Sequence, residues 1–311
     1  MDKAQLMKFA VIDLGTNTFN LLIIERLNDK FKIVHKQKIP VKLGAEGFED
    51  NLISEAALQR AENALQTYHT YLSKNKVNKV VGFATSGLRS CKNGKAFVDR
   101  MNHLFNLNIS IIDGDREAEL IFKGVKLSMD LKETTLIMDI GGGSTEFIIA
   151  QNNEILWKRS FMLGVARLKN LLNPDDPITS NDIVKFHQFL DTALKDLDDS
   201  VAKYKPQTLV GCSGSFETLA DITLRAFENK KLNKDLVYEI NKNQLKEIHK
   251  KLLKMNLKER LKVPGMIEMR ADLIVLGSLF IQYVLDKYQM DKIILSPNAL
   301  KEGVIFEIMN A

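Results

Sequence analysis

The sequence predicts an α/β protein in which one unit is used twice, with a cleft between the copies. Three observations predict this. First, "VIDLGTNTFNLLII" at 11–24 and "IMDIGGGSTEFIIA" at 137–150 share one plan: an Asp ending a β-branched run, a turn of glycines and hydroxyl residues, then another apolar run. Second, each segment opens a set of three strand-like runs. Third, each set is followed by alternating helix and strand patterns, so the whole series occurs twice. The junction is expected near 113–133. That gives a first domain of 1–120 and a second of 121–311, with the C-terminal helix 298–311 packing back on the first.

In the first half, strand-like runs fall at 8–13, 19–27 and 31–38. A long helical pattern covers 54–74, and "KVVGFAT" (79–85) reads as a short buried strand. A helix is expected over 86–104, a strand at "NISIID" (108–113), and a helix over 115–129. In the second half, strands are expected at 134–139, 145–151 and 154–161, and helices at 164–171 and 181–203. The strand "TLVGCS" (208–213) precedes a helix over 216–228. Helices over 242–254 and 268–287, a strand at 291–295 and a helix over 298–309 complete the chain.

Composition narrows the function classes. The chain has 311 residues, 45% hydrophobic and 27% charged, which suits a folded globular protein with a sizeable core. No run approaches the roughly 18–20 apolar residues that span a bilayer, and the first residues lack a signal-type stretch, so no membrane association and a cytoplasmic location are expected. Cys91 and Cys212 lie far apart and fit reduced, packed thiols. The five histidines are at least 34 positions apart, which removes any local His-based metal motif. The net charge of +5 is uneven, since residues 228–262 carry eleven Lys or Arg against five Asp or Glu. That stretch reads either as a solvated helical face or as a region that draws in a polyanion. Nucleic acid is not an expected partner, given one Trp, few aromatics and no base-reading module.

The two glycine turns are the strongest chemical signal. Neither has the spacing of a Walker loop or of a dinucleotide loop opening a helix. Apolar strand residues follow both, so each turn is expected at a β-hairpin tip, where glycines admit a ligand close to the backbone and successive N–H groups form an anion cradle. Gly15, Thr16, Asn17 and Thr18 make one cradle; Gly141, Gly142, Gly143, Ser144 and Thr145 make the other. Asp13 and Asp139 precede them. A single such Asp is accounted for by capping its own turn; two matching ones beside phosphate cradles point to a bridging Mg2+. Glu117 opens a helix near the junction. The helix dipole alone accounts for a carboxylate there, and the position also suits a general base acting on water between the domains. Arg89 reads either as a surface residue or as a guanidinium that stabilises a transferring phosphoryl group.

Seven segments in order carry a resemblance: "AVIDLGTNTFNLLI", "FATSGLRSCKN", "IIDGDREAELIFKGV", "MDIGGGSTEFII", "GCSGSFETLADI", "MRADLIVLGSLFI" and "LSPNALKEGVIFE". Together they resemble the exopolyphosphatases and guanosine pentaphosphate phosphohydrolases, in their short two-domain form, within the actin, hexokinase and heat-shock chaperone ATPase superfamily. The resemblance covers nearly the whole chain. It implies two ribonuclease H-like (actin-like) domains and Mg2+-dependent removal of a terminal phosphate by water, with Mn2+ able to replace Mg2+. It also implies roles. Glu117 matches the catalytic Glu and Arg89 the arginine of the "ATS.LR" segment; Asp139 and Glu146 match the acids near the metal, joined by Asp13. Ser144 lies in the second phosphate loop, and Gly214 and Ser215 lie in a further glycine turn.

The local pattern departs from that family at Asp115-Arg116-Glu117-Ala118-Glu119, where Arg116 replaces an acid and Glu119 the usual Arg. The expected substrate is inorganic polyphosphate or guanosine pentaphosphate, and the expected assembly a homodimer. Two other classes are weighed against this reading. An ATP-dependent kinase for a small molecule would need an adenosine turn, which "GCSGSFETL" matches poorly. A non-catalytic polyphosphate-binding regulator would not need Glu117, Asp139 and Glu146 all in place.

Overall fold

A computed structural model of the chain describes residues 7–27, 30–46 and 51–310. Its first sheet contains β1 (Met7–Leu14), β2 (Thr18–Leu27), β3 (Lys30–Pro40), β4 (Lys79–Ala84) and β5 (Ile109–Ile111), in the spatial order β3-β2-β1-β4-β5. The first three strands form an antiparallel meander, and β4 and β5 join parallel to β1. Parallel neighbours need crossovers. These carry α1 (Glu55–Lys74), then α2 (Ser86–Arg89) and α3 (Gly94–Phe105), before α4 (Gly114–Lys126) leaves the sheet.

The second sheet contains β6 (Thr135–Ile140), β7 (Thr145–Gln151), β8 (Glu154–Phe161), β9 (Thr208–Cys212), β10 (Tyr238–Glu239) and β11 (Lys292–Leu295). Its order, β10-β11-β9-β6-β7-β8, repeats the first sheet apart from the short added edge strand β10. The duplication expected from the two glycine turns is therefore a duplication of topology. Helices α5 (Val165–Leu172), α6 (Ser180–Ala193), α7 (Lys195–Tyr204), α8 (Ser213–Glu228), α9 (Lys242–Leu253), α10 (Leu257–Arg260), α11 (Glu268–Ala271), α12 (Ile274–Lys287) and α13 (Leu300–Asn310) complete this half.

Strand alternation decides how the layers form. Ala10, Ile12 and Leu14 of β1 pack outward on α1 and α3, while Phe9 and Val11 face the opposite way. In the second sheet Leu136, Met138 and Ile140 belong to the outer core, and Ile137, Ile148 and Ala150 face inward. The two inward faces share one apolar cluster with α4 and α13, which lie between the sheets. Those two helices meet almost backbone to backbone. A Cβ on Gly303 would stand 1.8 Å from the Leu120 carbonyl oxygen, and one on Gly124 1.9 Å from that of Ala299.

Three expected helices are interrupted. The span 86–104 breaks after Arg89, where the Asn93 side chain bonds both the N–H and the C=O of Ile53 and ties the break to the chain entering α1. The span 181–203 divides at Leu194, whose φ of −103° and ψ of 16° leave the helical region. The span 268–287 divides between α11 and α12. Among the described residues, no helix is long and apolar enough to cross a membrane.

Candidate active site

Sheet pairing builds the floor of the site. In the first hairpin Asp13 sits directly opposite Asn20, and in the second Asp139 sits directly opposite Glu146. Opposed residues share a face, so each hairpin presents a pair of polar side chains from the same two positions. Asn20 donates to Asp13 at 2.9 Å. Glu146 accepts from the hydroxyls of Ser144 and Ser160 at 2.6 and 2.7 Å.

The glycine turns close over this floor from opposite sides. A Cβ on Gly142 would lie 3.1 Å from the Thr16 Cβ and 3.2 Å from the Asn17 backbone nitrogen, so the two loops face each other in van der Waals contact. The second loop is held from behind by α5. Val165 N–H donates to the Gly141 carbonyl, and the N–H groups of Ala166 and Arg167 to that of Gly142, at 3.0 to 3.1 Å. The Arg167 Nε donates to the Gly143 carbonyl at 3.1 Å, and its guanidinium reaches Ser90 of the first half at 2.9 Å. First-turn amides, ordinarily without partners, are used here to fix the loop's carbonyls. The close approach depends on Gly164, where a Cβ would stand 2.3 Å from the Gly142–Gly143 peptide.

Glu117 enters from α4, whose N-terminus is capped by the Asp113 side chain accepting from Arg116 N–H. Arg89 donates to Glu117 at 2.9 Å and to the Ile112 carbonyl at 2.8 Å. Glu117 lines a cavity of about 100 Å3 between the halves, walled by both glycine turns and by Asp13, Asp139 and Glu146.

Four carboxylates in one cavity, three of them buried and Asp13 half-buried, cannot all ionise freely. Burial pushes the Asp139 carboxyl up to about 6, against the lowering effects of its Ser213 hydrogen bond and Lys301. Burial and then the Asp139 charge push Glu146 up to about 7. Glu117 lies well above the ordinary carboxylate range because it is buried and faces Glu146, and Arg89 opposes that rise. Asp13 is raised by burial, with Lys301 opposing. Desolvation and like charge both favour added protons or a bound cation.

Of the residues anticipated from sequence, Asp13, the 15–18 loop, Gly141, Gly142, Gly143, Ser144, Glu117, Asp139 and Glu146 line this cavity. Arg89 stands behind it, in contact through Glu117. Three expected phosphate ligands, Thr145, Gly214 and Ser215, are not among the residues that line it. Thr145 alternates away from Ser144 and Glu146, and its hydroxyl donates to the Leu163 carbonyl. Ser215 packs towards α12, close to Gly277. Helix α8 begins at Ser213 rather than 216, and Ser213, with φ +67°, takes the cavity position. Gly214 lines a neighbouring cavity beside Arg270.

Asn20, Thr85, Ser86, Ser213, Arg270 and Lys301 also line the first cavity and were not anticipated. Arg270 and Lys301 fall in two of the seven segments noted above, but no local spacing marks them as ligands.

Comparison with known proteins agrees with this architecture. The model of the Ppx/GppA phosphatase family matches residues 22–311. The crystal structure of an exopolyphosphatase from Cytophaga hutchinsonii is similar at 37% identity and a TM-score of 0.94, covering 98% of each chain. The bifunctional 3-dehydroquinate synthase/phosphatase of Fusobacterium nucleatum is 30% identical over 96% of this chain and 46% of its own length. The guanosine-5'-triphosphate,3'-diphosphate pyrophosphatase of Aliivibrio fischeri is 28% identical over 97% of this chain and 59% of its own. The chain thus spans about half the length of these two curated relatives.

Proposed function

The chain belongs to the Ppx/GppA phosphatase family, and we propose that it is an exopolyphosphatase, removing orthophosphate from the end of inorganic polyphosphate with water as nucleophile. The observation that carries this reading is Glu117, a buried carboxylate aimed by Arg89 into a cavity walled by two opposed glycine loops. Phosphoryl transfer depends on positioning and charge neutralisation more than on covalent chemistry. The backbone N–H groups of the two loops hold the terminal phosphate. Glu117 orients a water towards phosphorus and takes its proton, and Arg89 opposes the rise in the Glu117 pKa.

The acids fit a hard divalent cation. They are oxygen donors only, they are buried together, and their raised pKa values mark negative charge short of compensation. Among the described residues no group of three or more His, Cys, Asp or Glu is placed to hold a metal ion by itself, so part of the set would act through bound water or substrate oxygens. Asp13, Asp139 and Glu146 would hold Mg2+, or Mn2+ in its place, and the ion would neutralise phosphate oxygens.

A second reading, hydrolysis of guanosine pentaphosphate, is favoured by the adjoining cavity of about 300 Å3. Its wall includes Ile267, Met269 and Pro297 beside its lysines, an apolar surface for a nucleoside. The deciding experiment gives the purified protein, with Mg2+, polyphosphate, guanosine pentaphosphate, and ATP with glucose or acetate, in parallel. Orthophosphate release from polyphosphate is expected. Phosphoryl transfer to glucose or acetate would replace this reading with a kinase, and tight binding without turnover would replace it with a regulator.

Gly164 tests the second loop without touching the cavity wall. Gly164→Ala is expected to lower kcat/KM for phosphate release roughly 10- to 100-fold, because its methyl group displaces the Gly142–Gly143 peptide by a fraction of the ~1 Å that costs about 100-fold. Steady-state rates beside a melting curve check this, and an unchanged kcat/KM would mean that α5 does not set the loop.

A further inference from the structure

The cavity that holds Glu117 and the larger one beside it share three wall residues, Asn20, Arg270 and Lys301. Everything assigned so far to attack lies on one side of this threshold: both glycine loops, Glu117 and Glu146 line the first cavity only. Lys36, Lys38 and Lys234 line the second cavity only. A phosphate chain whose terminal unit sits between the loops, with water approaching from Glu117, therefore continues across the threshold towards those lysines. In-line displacement puts the leaving oxygen opposite the attacking water, which is at the threshold itself.

Lys301 and Arg270 are the two cations there. Arg270 is fixed, with its guanidinium lying against Gly214 so closely that a Cβ on that glycine would meet it at 2.1 Å. Lys301 projects from the first turn of α13 on a flexible four-carbon stem, and among the described residues no acid lies within ion-pair distance of its ammonium. Burial works against its charge, yet Glu302, Asp13, Glu217 and Asp139 around it hold the group protonated. It is a charged donor, half-buried and without an ion pair among the described residues, where two cavities meet.

We propose that Lys301 is a catalytic residue that donates a hydrogen bond from its ammonium to the leaving bridging oxygen. The inference rests on the hydrolase reading above. In the step, the water oxygen bonds to the terminal phosphorus and its proton passes to Glu117. The bond from phosphorus to the bridging oxygen breaks, and its electron pair stays on the shortened chain, whose new charge faces Lys301. The lysine gives up no proton, so one phosphoanhydride and one water become orthophosphate and the shorter anion. The charge it meets grows as the bond breaks, so its contribution is greater in the transition state than in the bound substrate.

The test measures orthophosphate release from tripolyphosphate and from guanosine pentaphosphate by the wild type, Lys301→Met and Lys301→Arg, with melting temperatures alongside. Binding of tripolyphosphate is measured in the Glu117→Gln background with and without Lys301→Met. Lys301→Met is expected to lower kcat about 100-fold, the effect of deleting one such donor, while Kd changes less than tenfold and Lys301→Arg recovers most of the loss. Three results overturn the proposal: kcat within threefold of wild type, a Kd change that accounts for the whole defect, or equal losses in the Met and Arg variants. A wild type silent on both substrates instead overturns the hydrolase reading, and the Lys301 role with it.

Discussion

Glu117→Gln is expected to lower orthophosphate release about 1,000-fold, within the ~100- to 10,000-fold that general bases contribute, while leaving KM close to the wild-type value. Gln keeps the shape of the side chain and can still accept from Arg89, so the fold and the cavity wall persist; it cannot take a proton from water. The loss should fall on kcat, because a carboxylate repels phosphate rather than holding it, so Glu117 contributes to attack more than to binding. Single-turnover phosphate release, with substrate binding measured separately, checks the split. A variant that retains more than a tenth of the wild-type rate would remove Glu117 from the chemical step, and the base would then have to come from Asp13, Asp139 or Glu146.

Sequence analysis reached furthest where one signal served both local structure and chemistry. The hairpins at 11–24 and 137–150 are legible because β-branched runs flank glycines that only a tight turn needs, and the same turns supply residues that wall the cavity. Their repetition forecast the repeated strand order. Alternation along the chain already separates the Thr145 side chain from those of Ser144 and Glu146, so its turn towards Leu163 was legible in the sequence. Ser213 is different. Its left-handed backbone stands at a serine, not at a glycine or asparagine that would announce it, and nothing in "GCSGS" selects the first serine over the second. Arg270 and Lys301 were further out of reach, because they meet Asn20 only after α13 returns between the two sheets. A juxtaposition of residues 250 and more positions apart in the chain has no local period to betray it.

Arg89 shows how one ion pair can set both rate and pH dependence. Arg89→Met is expected to lower kcat several hundred-fold at neutral pH, with much of the loss recovered as pH rises, on the scale of losing a fixed charged donor. Burial and then Glu146 hold the Glu117 pKa well up, and the Arg89 charge and hydrogen bond are what hold it down. Without the guanidinium that pKa rises further, so less of the carboxylate is ionised at pH 7 and the acid limb of the rate profile moves to higher pH. The same shift has a sign in stability. A carboxyl whose folded pKa lies above its unfolded value contributes stability that is present below the unfolded value and is lost as pH rises through the folded one. Melting of Arg89→Met should therefore worsen with rising pH more steeply than melting of the wild type. Protonation of Glu117 limits the cost of leaving it without a partner, so the variant should fold at neutral pH. Arg89→Lys keeps the charge, but one terminal guanidinium nitrogen makes both bonds, and a Lys ammonium does not reproduce that fixed placement; it should keep the wild-type pH limb while still losing rate. If the acid limb of Arg89→Met coincides with that of the wild type, Arg89 does not control ionisation of the base, and its place is with the phosphate instead.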